Sequence, residues 1–150
     1  MNDPVQESLV VSGSSQEEIF GALLEVERFP EWAFGLKEAR TLGAPTNSVA
    51  PGTTVEFALS AAGITHRVAG TVSLVEPPRL LLWRYTEGAA GMGGWILEDL
   101  GYAVKVTFWT SYEVKPPRLN RLANRPFFRG VTEDLLRRSM RRFADLLRAG

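Results

Sequence analysis

The 150-residue sequence predicts an α+β fold: a curved, seven-stranded antiparallel sheet wrapped around a long C-terminal helix, with two short helices between strands 1 and 2. Three features predict it. Apolar and polar residues alternate with a period of two through most of residues 36–114. Short turns, rather than helical crossovers, separate the strands so marked, which makes the sheet an antiparallel meander. From about Phe127 to Ala149 the period becomes helical, giving a rod on the order of 35 Å long. A twisted sheet that must bury its apolar face against one rod has to curl around it.

The elements are taken in chain order. "VQESLVVS" (5–12) is valine-rich and reads as the first strand. In "SQEE", Ser15 is an N-cap with Glu18 three residues on, a capping box. Ile19, Phe20, Leu23, Leu24 and Val26 then have helical spacing. Phe29-Pro30 is expected to end this helix, because the residue before proline avoids the α region. "EWAFG" (31–35) is expected to form a second short helical turn. "LKEARTLG" (36–43) reads as a strand and "APTNSVAPG" (44–52) as a loop. Strands follow at 53–61, where Val55, Phe57 and Leu59 alternate against Glu56, at 64–76, closed by Pro77-Pro78, and at 79–87. The glycine-rich "GAAGMGG" (88–94) is expected to be a flexible connection to a short strand at 95–99. The last strand, 102–114, is stopped by Pro116-Pro117. Pro126 and Gly130 predict a kink or two segments in the helical remainder of the chain. On the long helix Phe128, Val131, Leu135, Leu136, Met140, Phe143 and Leu147 share one face, and Arg129, Arg137, Arg138, Arg141 and Arg142 take the rest.

Composition narrows the function classes. With 45% apolar and 23% charged residues, the chain suits one domain over 1–150 with a sizeable core. There is no cysteine, hence no disulfide framework and no thiolate chemistry. His66 is the single histidine, so a metal site of common type is not expected, and neither is a cofactor. No serine lies in a G-x-S-x-G context, and neither glycine-rich nucleotide-binding motif occurs. A leader peptide is not evident and no apolar stretch approaches the roughly 20 residues that span a bilayer, so a cytoplasmic protein without an integral membrane segment is expected. Net charge is zero but uneven: residues 1–114 hold 7 basic and 14 acidic residues, residues 115–150 hold 10 and 3. We read the basic segment as the solvated face of the long helix, laid on an acidic sheet. The aromatic residues are not interleaved with the arginines, so nucleic acid is not an expected partner.

Alternation assigns the sheet's faces. His66, Val68, Gly70, Val72 and Leu74 point in, as do Leu81, Trp83 and Tyr85, then Trp95 and Leu97, then Val104, Val106, Phe108, Thr110 and Tyr112; Trp109 falls on the outer side. The inner set is rich in rings, and one helix cannot cover every inner position of a curled sheet. Either the rings fill the interior or a cavity remains. The candidate ligand-binding residues are Trp32, Phe34, Phe57, His66, Trp83, Tyr85, Trp95, Phe108, Tyr112 and Phe128. The candidates for acid–base catalysis are His66, Tyr85 and Tyr112, with Tyr85, Tyr112 or Asp99 as the partner of the imidazole.

"VVSGSSQEEIF", "VERFPEW", "GTTVEF", and "EPPRLLLWR" followed by "GGWILEDLGYAVKVTFWTSY", together with the arginine-rich final helix, carry a resemblance. The chain resembles the START-like (SRPBCC, Bet v 1-like) helix-grip superfamily, and within it the polyketide cyclase/dehydrase and lipid-transport branch. The resemblance covers nearly the whole chain. It implies a deep apolar cavity between sheet and helix, closed at one end by the two short helices, with Phe29 anchoring the "FPEW" turn and Trp32 lining or lidding the cavity. It implies a hydrophobic small molecule or lipid as partner. The protein would then be a carrier, a cyclase/aromatase/dehydrase-type enzyme using the same pocket, or a co-chaperone-like interaction domain. The superfamily has no universal catalytic residue, and no motif of it maps onto His66, Tyr85 or Tyr112, so enzymatic activity stays open, as does a homodimer.

Overall fold

β1 (Val5–Val11) leaves the sheet through a capping box, and the chain returns to the sheet at the opposite edge. The structure, a computed structural model, describes residues 4–42, 49–61, 63–115, 117–123 and 126–149, with side chains except at positions 61, 122, 123, 126–129 and 149. α1 (Gln16–Leu24) and a 3₁₀ helix (Val26–Glu31) follow β1. Then come β2 (Leu36–Leu42), β3 (Thr54–Ala61), β4 (Ile64–Glu76), β5 (Leu80–Glu87), β6 (Ala89–Asp99) and β7 (Val104–Val114). α2 (Pro117–Ala123) and α3 (Pro126–Ala149) end the described chain. All neighbours pair antiparallel in the order β1-β7-β6-β5-β4-β3-β2. The seven strands and the long terminal helix are those the alternation predicts. β1 and β2 are the two edges, so α1 and the 3₁₀ helix must cross from one edge to the other. They close one end of the wrap.

Local chemistry explains the crossing. Ser15 Oγ accepts from the Glu18 amide at 3.1 Å, and a Glu18 carboxylate oxygen accepts from the Ser15 amide at 3.0 Å. These bonds favour the ionised carboxylate and hold Glu18 below the usual carboxylate range. Ile19, Phe20 and Leu23 bury the inner stripe of α1. The helix ends earlier than Phe29-Pro30 suggests. Glu25, at φ −82° and ψ 65°, breaks it after Leu24, and Pro30 lies inside the following 3₁₀ helix. That second helical turn therefore covers 26–31 rather than 31–35. Neither glycine nor proline marks the break at Glu25, so the sequence carries no signal for it.

Two further expectations are corrected. The segment 88–94 is not a flexible connection: from Ala89 it is the first half of β6, paired with both β5 and β7. Its glycines are there because the curled sheet brings backbones too close for side chains. A Cβ on Gly91 would overlap the Ser111 carbonyl oxygen, and one on Gly93 would press on the Trp83 indole at 3.1 Å. Leu74 is the second case. The β4–β5 register slips between Val72 and Leu74, and past this irregularity Val75, opposite Leu81, packs on the core. One extra residue exchanges the faces, which alternation alone cannot anticipate. Within the loop read at 44–52, positions 44–48 lie outside the described residues.

Two helical segments form, opened by Pro117 and Pro126, and Gly130 does not interrupt the second. α3 has 24 residues. Met140, Phe143 and Ala144 enter the core with Val11, Ile19, Leu23, Leu97 and Val106. Three polar contacts tie α3 in place. Arg142 donates to the Glu31 carbonyl at 2.8 Å, the Phe34 amide donates to Ser139 Oγ at 2.8 Å, and Arg137 pairs with Glu7 of β1 at 3.5 Å. Arg138 and Arg148 instead pair within the helix, with Asp134 and Asp145. The basic face is thus mostly solvated and only in part laid against an acidic sheet.

Gly91→Ala should destabilise the fold by more than about 1 kcal/mol, because the added carbon strikes backbone at φ +128°. Gly21→Ala, on the exposed face of α1 with nothing within 4 Å, should stabilise by about 0.5–1 kcal/mol. Urea midpoints at constant m-value distinguish the two.

Candidate functional site: a cavity between sheet and helix

One end of the wrap is solid. The Trp32 ring centroid lies 4.9 Å from both Phe29 and Phe143 and 5.9 Å from Trp95, edge-on to the latter. Trp95 in turn lies 4.9 Å from Phe108. Tilted and edge contacts of this kind suit the ring quadrupoles. Beyond this plug the interior is hollow, with a cavity of about 330 Å³. Its walls come from the inner faces of β3 to β7, the turn at Ala33–Leu36, and Leu119, Thr132, Leu135, Leu136 and Ser139 of α2 and α3. Phe34 and Leu59, 45% and 42% exposed, mark the open rim, where the Arg138 guanidinium sits 5.5 Å over the Phe34 ring.

Trp32, Phe34, Phe57, His66, Trp83, Tyr85, Trp95, Phe108 and Tyr112 all stand on this cavity wall. Phe128 lies in α3, but its side chain is outside the described residues. Alternation brings the strand residues together because every second side chain faces α3. Four polar residues of the wall, Ser60, Thr110, Thr132 and Ser139, lie outside the set of candidate site residues. Thr110 is already inner by alternation. Ser139 sits at helical spacing among Leu135, Leu136 and Met140, a polar residue on an apolar stripe, and that oddity is the available signal.

The polar groups are few and mostly paired. Tyr85 Oη and Thr110 Oγ1 are 2.8 Å apart. Burial pushes the Tyr85 phenol above its ordinary range, and the bond to Thr110 opposes this in part. Ser139 Oγ donates to the Leu135 carbonyl at 2.6 Å while accepting from the Phe34 amide. His66 Nε2 lies 2.7 Å from the Gly88 carbonyl oxygen. Of the groups considered as partners of the imidazole, Tyr85 is bonded to Thr110, and Asp99 accepts from the Gly101 amide in an exposed turn. Among the described residues the indole N–H of Trp95 is buried without a partner, and that of Trp83, also buried, has the Tyr85 hydroxyl as its polar neighbour. No Asp, Glu, Lys or Arg lies on the wall among the described residues. Those residues also hold no cluster of three or more metal-ligating side chains and no helix long and apolar enough to cross a membrane.

Residues 5–148 match the profile of the family described as polyketide cyclase / dehydrase and lipid transport. The chain belongs to that family. Solved structures similar to this family member include TTHA0849 from Thermus thermophilus, at 13% identity and TM-score 0.80 over 98% of each chain. A START superfamily protein from Mycobacterium smegmatis gives 16% identity and TM-score 0.72 over 96% of this chain and 98% of the other. The Zhui aromatase/cyclase from Streptomyces sp. R1128 gives 13% and 0.71 over 97% and 93%. At such identities the likeness is one of fold: the helix grip, with its curled seven-stranded sheet and long C-terminal helix. No curated protein sequence matches the chain.

A raised phenol makes folding pH-dependent at the alkaline end. The unfolded chain ionises Tyr85 first, and stability falls once the pH passes the unfolded value of about 10, until the higher folded value is reached. Tyr85→Phe should flatten the fall of urea-unfolding stability between about pH 9 and 11 relative to wild type.

Proposed function

We propose that this protein is a cytoplasmic carrier that holds a neutral, apolar, ring-containing small molecule or lipid in the cavity between sheet and α3. The observation that carries the reading is the wall itself: rings and aliphatic side chains surround about 330 Å³, with no ionised group among the described wall residues. An ionised guest would lose hydration there without a counter-ion, whereas an apolar one gains roughly 25 cal/mol per Å² of surface buried. Flat rings can lie against Trp83 and Phe108, whose centroids are 6.0 Å apart with planes inclined by 30°. The plug of Trp32, Trp95 and Phe143 sets the depth to which a guest can enter.

A second reading is favoured by one observation, an imidazole on the wall of an apolar cavity. In a cyclase of the kind named for the Zhui neighbour, such a group could move a proton on a folded reactive chain. A His66→Ala protein that still binds its guest but loses turnover would favour it; unchanged turnover would remove it.

The carrier reading is tested by native mass spectrometry of protein from its own host, which should release a co-purifying neutral compound. It is also tested with the fluorescent probe N-phenyl-1-naphthylamine. Phe108→Ala removes about 50 Å² of ring contact and should weaken the probe's affinity about tenfold. If the probe does not bind wild type, or binds both proteins equally, the cavity is not the binding site.

A further inference from the structure

We infer that the guest carries a neutral hydroxyl group on its ring, phenolic or enolic, which donates to Nδ1 of His66. This rests on the carrier reading and names the ligand class. A carbonyl oxygen can only accept, so the 2.7 Å contact with Gly88 places a proton on Nε2 of the imidazole. In the uncharged ring Nδ1 is then an acceptor, and the hydrogen bonds among the described residues bring it no donor. The same Gly88 carbonyl accepts the Lys115 amide at 3.0 Å, so β-sheet backbone fixes the acceptor to which the ring is anchored. His66 is on an inward position of β4, opposite Leu59 of the rim, and therefore stands towards the open end of the cavity.

Three other hydroxyls of the wall are bonded within the protein. Tyr85 and Thr110 satisfy each other, and Ser139 both gives and takes a bond within the protein. The indole N–H groups of Trp83 and Trp95 are sealed even from a water-sized group, that of Trp83 beside the Tyr85 hydroxyl, so they offer nothing to a guest's oxygen. At His66 a guest therefore meets an acceptor that demands a donor. An ammonium donor would need a counter-ion that the described wall does not hold. A ring hydroxyl meets the demand, with its ring deeper among Phe57, Trp83 and Phe108.

The test compares 2-naphthol, 2-methoxynaphthalene and naphthalene by titration calorimetry at about pH 8, where imidazoles are ordinarily neutral. Wild type should bind the naphthol about fivefold to tenfold more tightly than its methyl ether. His66→Phe should abolish that preference, so that naphthol and ether bind with equal affinity. His66→Gln should retain it, because the amide can donate to Gly88 and accept through its oxygen; this variant and the wild-type series decide the matter if His66→Phe does not fold. Equal affinities for naphthol and ether in wild type, or a preference undiminished in His66→Phe, would overturn the hydroxyl assignment and leave the carrier reading standing. Failure of all three probes to bind would overturn both.

Discussion

The aromatic plug of Phe29, Trp32, Trp95, Phe108 and Phe143 is the contact on which the rest depends. It joins the 3₁₀ helix, two central strands and α3 at one place, so sheet and helix cannot part without separating the rings. Because it concentrates large side chains at one end, the inner face at the other end has no partner large enough to reach it. A curled sheet has more inner surface than a single helix can cover. The hollow is therefore the geometric remainder of a packing that is complete only where the rings meet.

Keeping such a hollow open has structural costs, which the chain meets locally. The bend in the sheet brings β5, β6 and β7 so close that positions 91 and 94 leave no room for a side chain. The helix that roofs the cavity is tethered by its edges: Ser139 to the turn after the 3₁₀ helix, Arg142 to that helix, and Arg137 to β1. Ser139 shows how a buried polar group is tolerated beside an apolar space. Its hydroxyl both donates and accepts at short distance, so it leaves no unmet demand. Tyr85 with Thr110 follows the same rule. The exposed Phe34 and Leu59 at the rim are apolar where a closed core would end in polar residues, and this is where a guest would enter.

Family and fold leave the choice between carrier and cyclase to the wall's chemistry. The wall is largely apolar, and its one imidazole is bound to backbone rather than to a second titratable side chain. A catalytic imidazole is commonly oriented by a partner that also stabilises its charge. A backbone carbonyl orients the ring without supplying a negative charge.

Much of this was legible from local pattern. Period-two alternation placed Phe57, His66, Trp83, Tyr85, Phe108 and Tyr112 on one face, because strand geometry alone decides where successive side chains point. The capping box at Ser15 and the apolar stripe of α3 were readable for the same reason, since each rests on residues within a turn or two of one another. What the tertiary structure decided were the non-local contacts. Residues 89–94 became a strand because β5 and β7 pair with them on either side, Val75 replaced Leu74 because the β4–β5 register slips, and His66 took the carbonyl of Gly88, which follows the neighbouring strand β5. Whether the aromatic interior is solid or hollow was also beyond the sequence. It depends on how far the rings of four distant segments interlock, and spacing along a chain does not encode that distance.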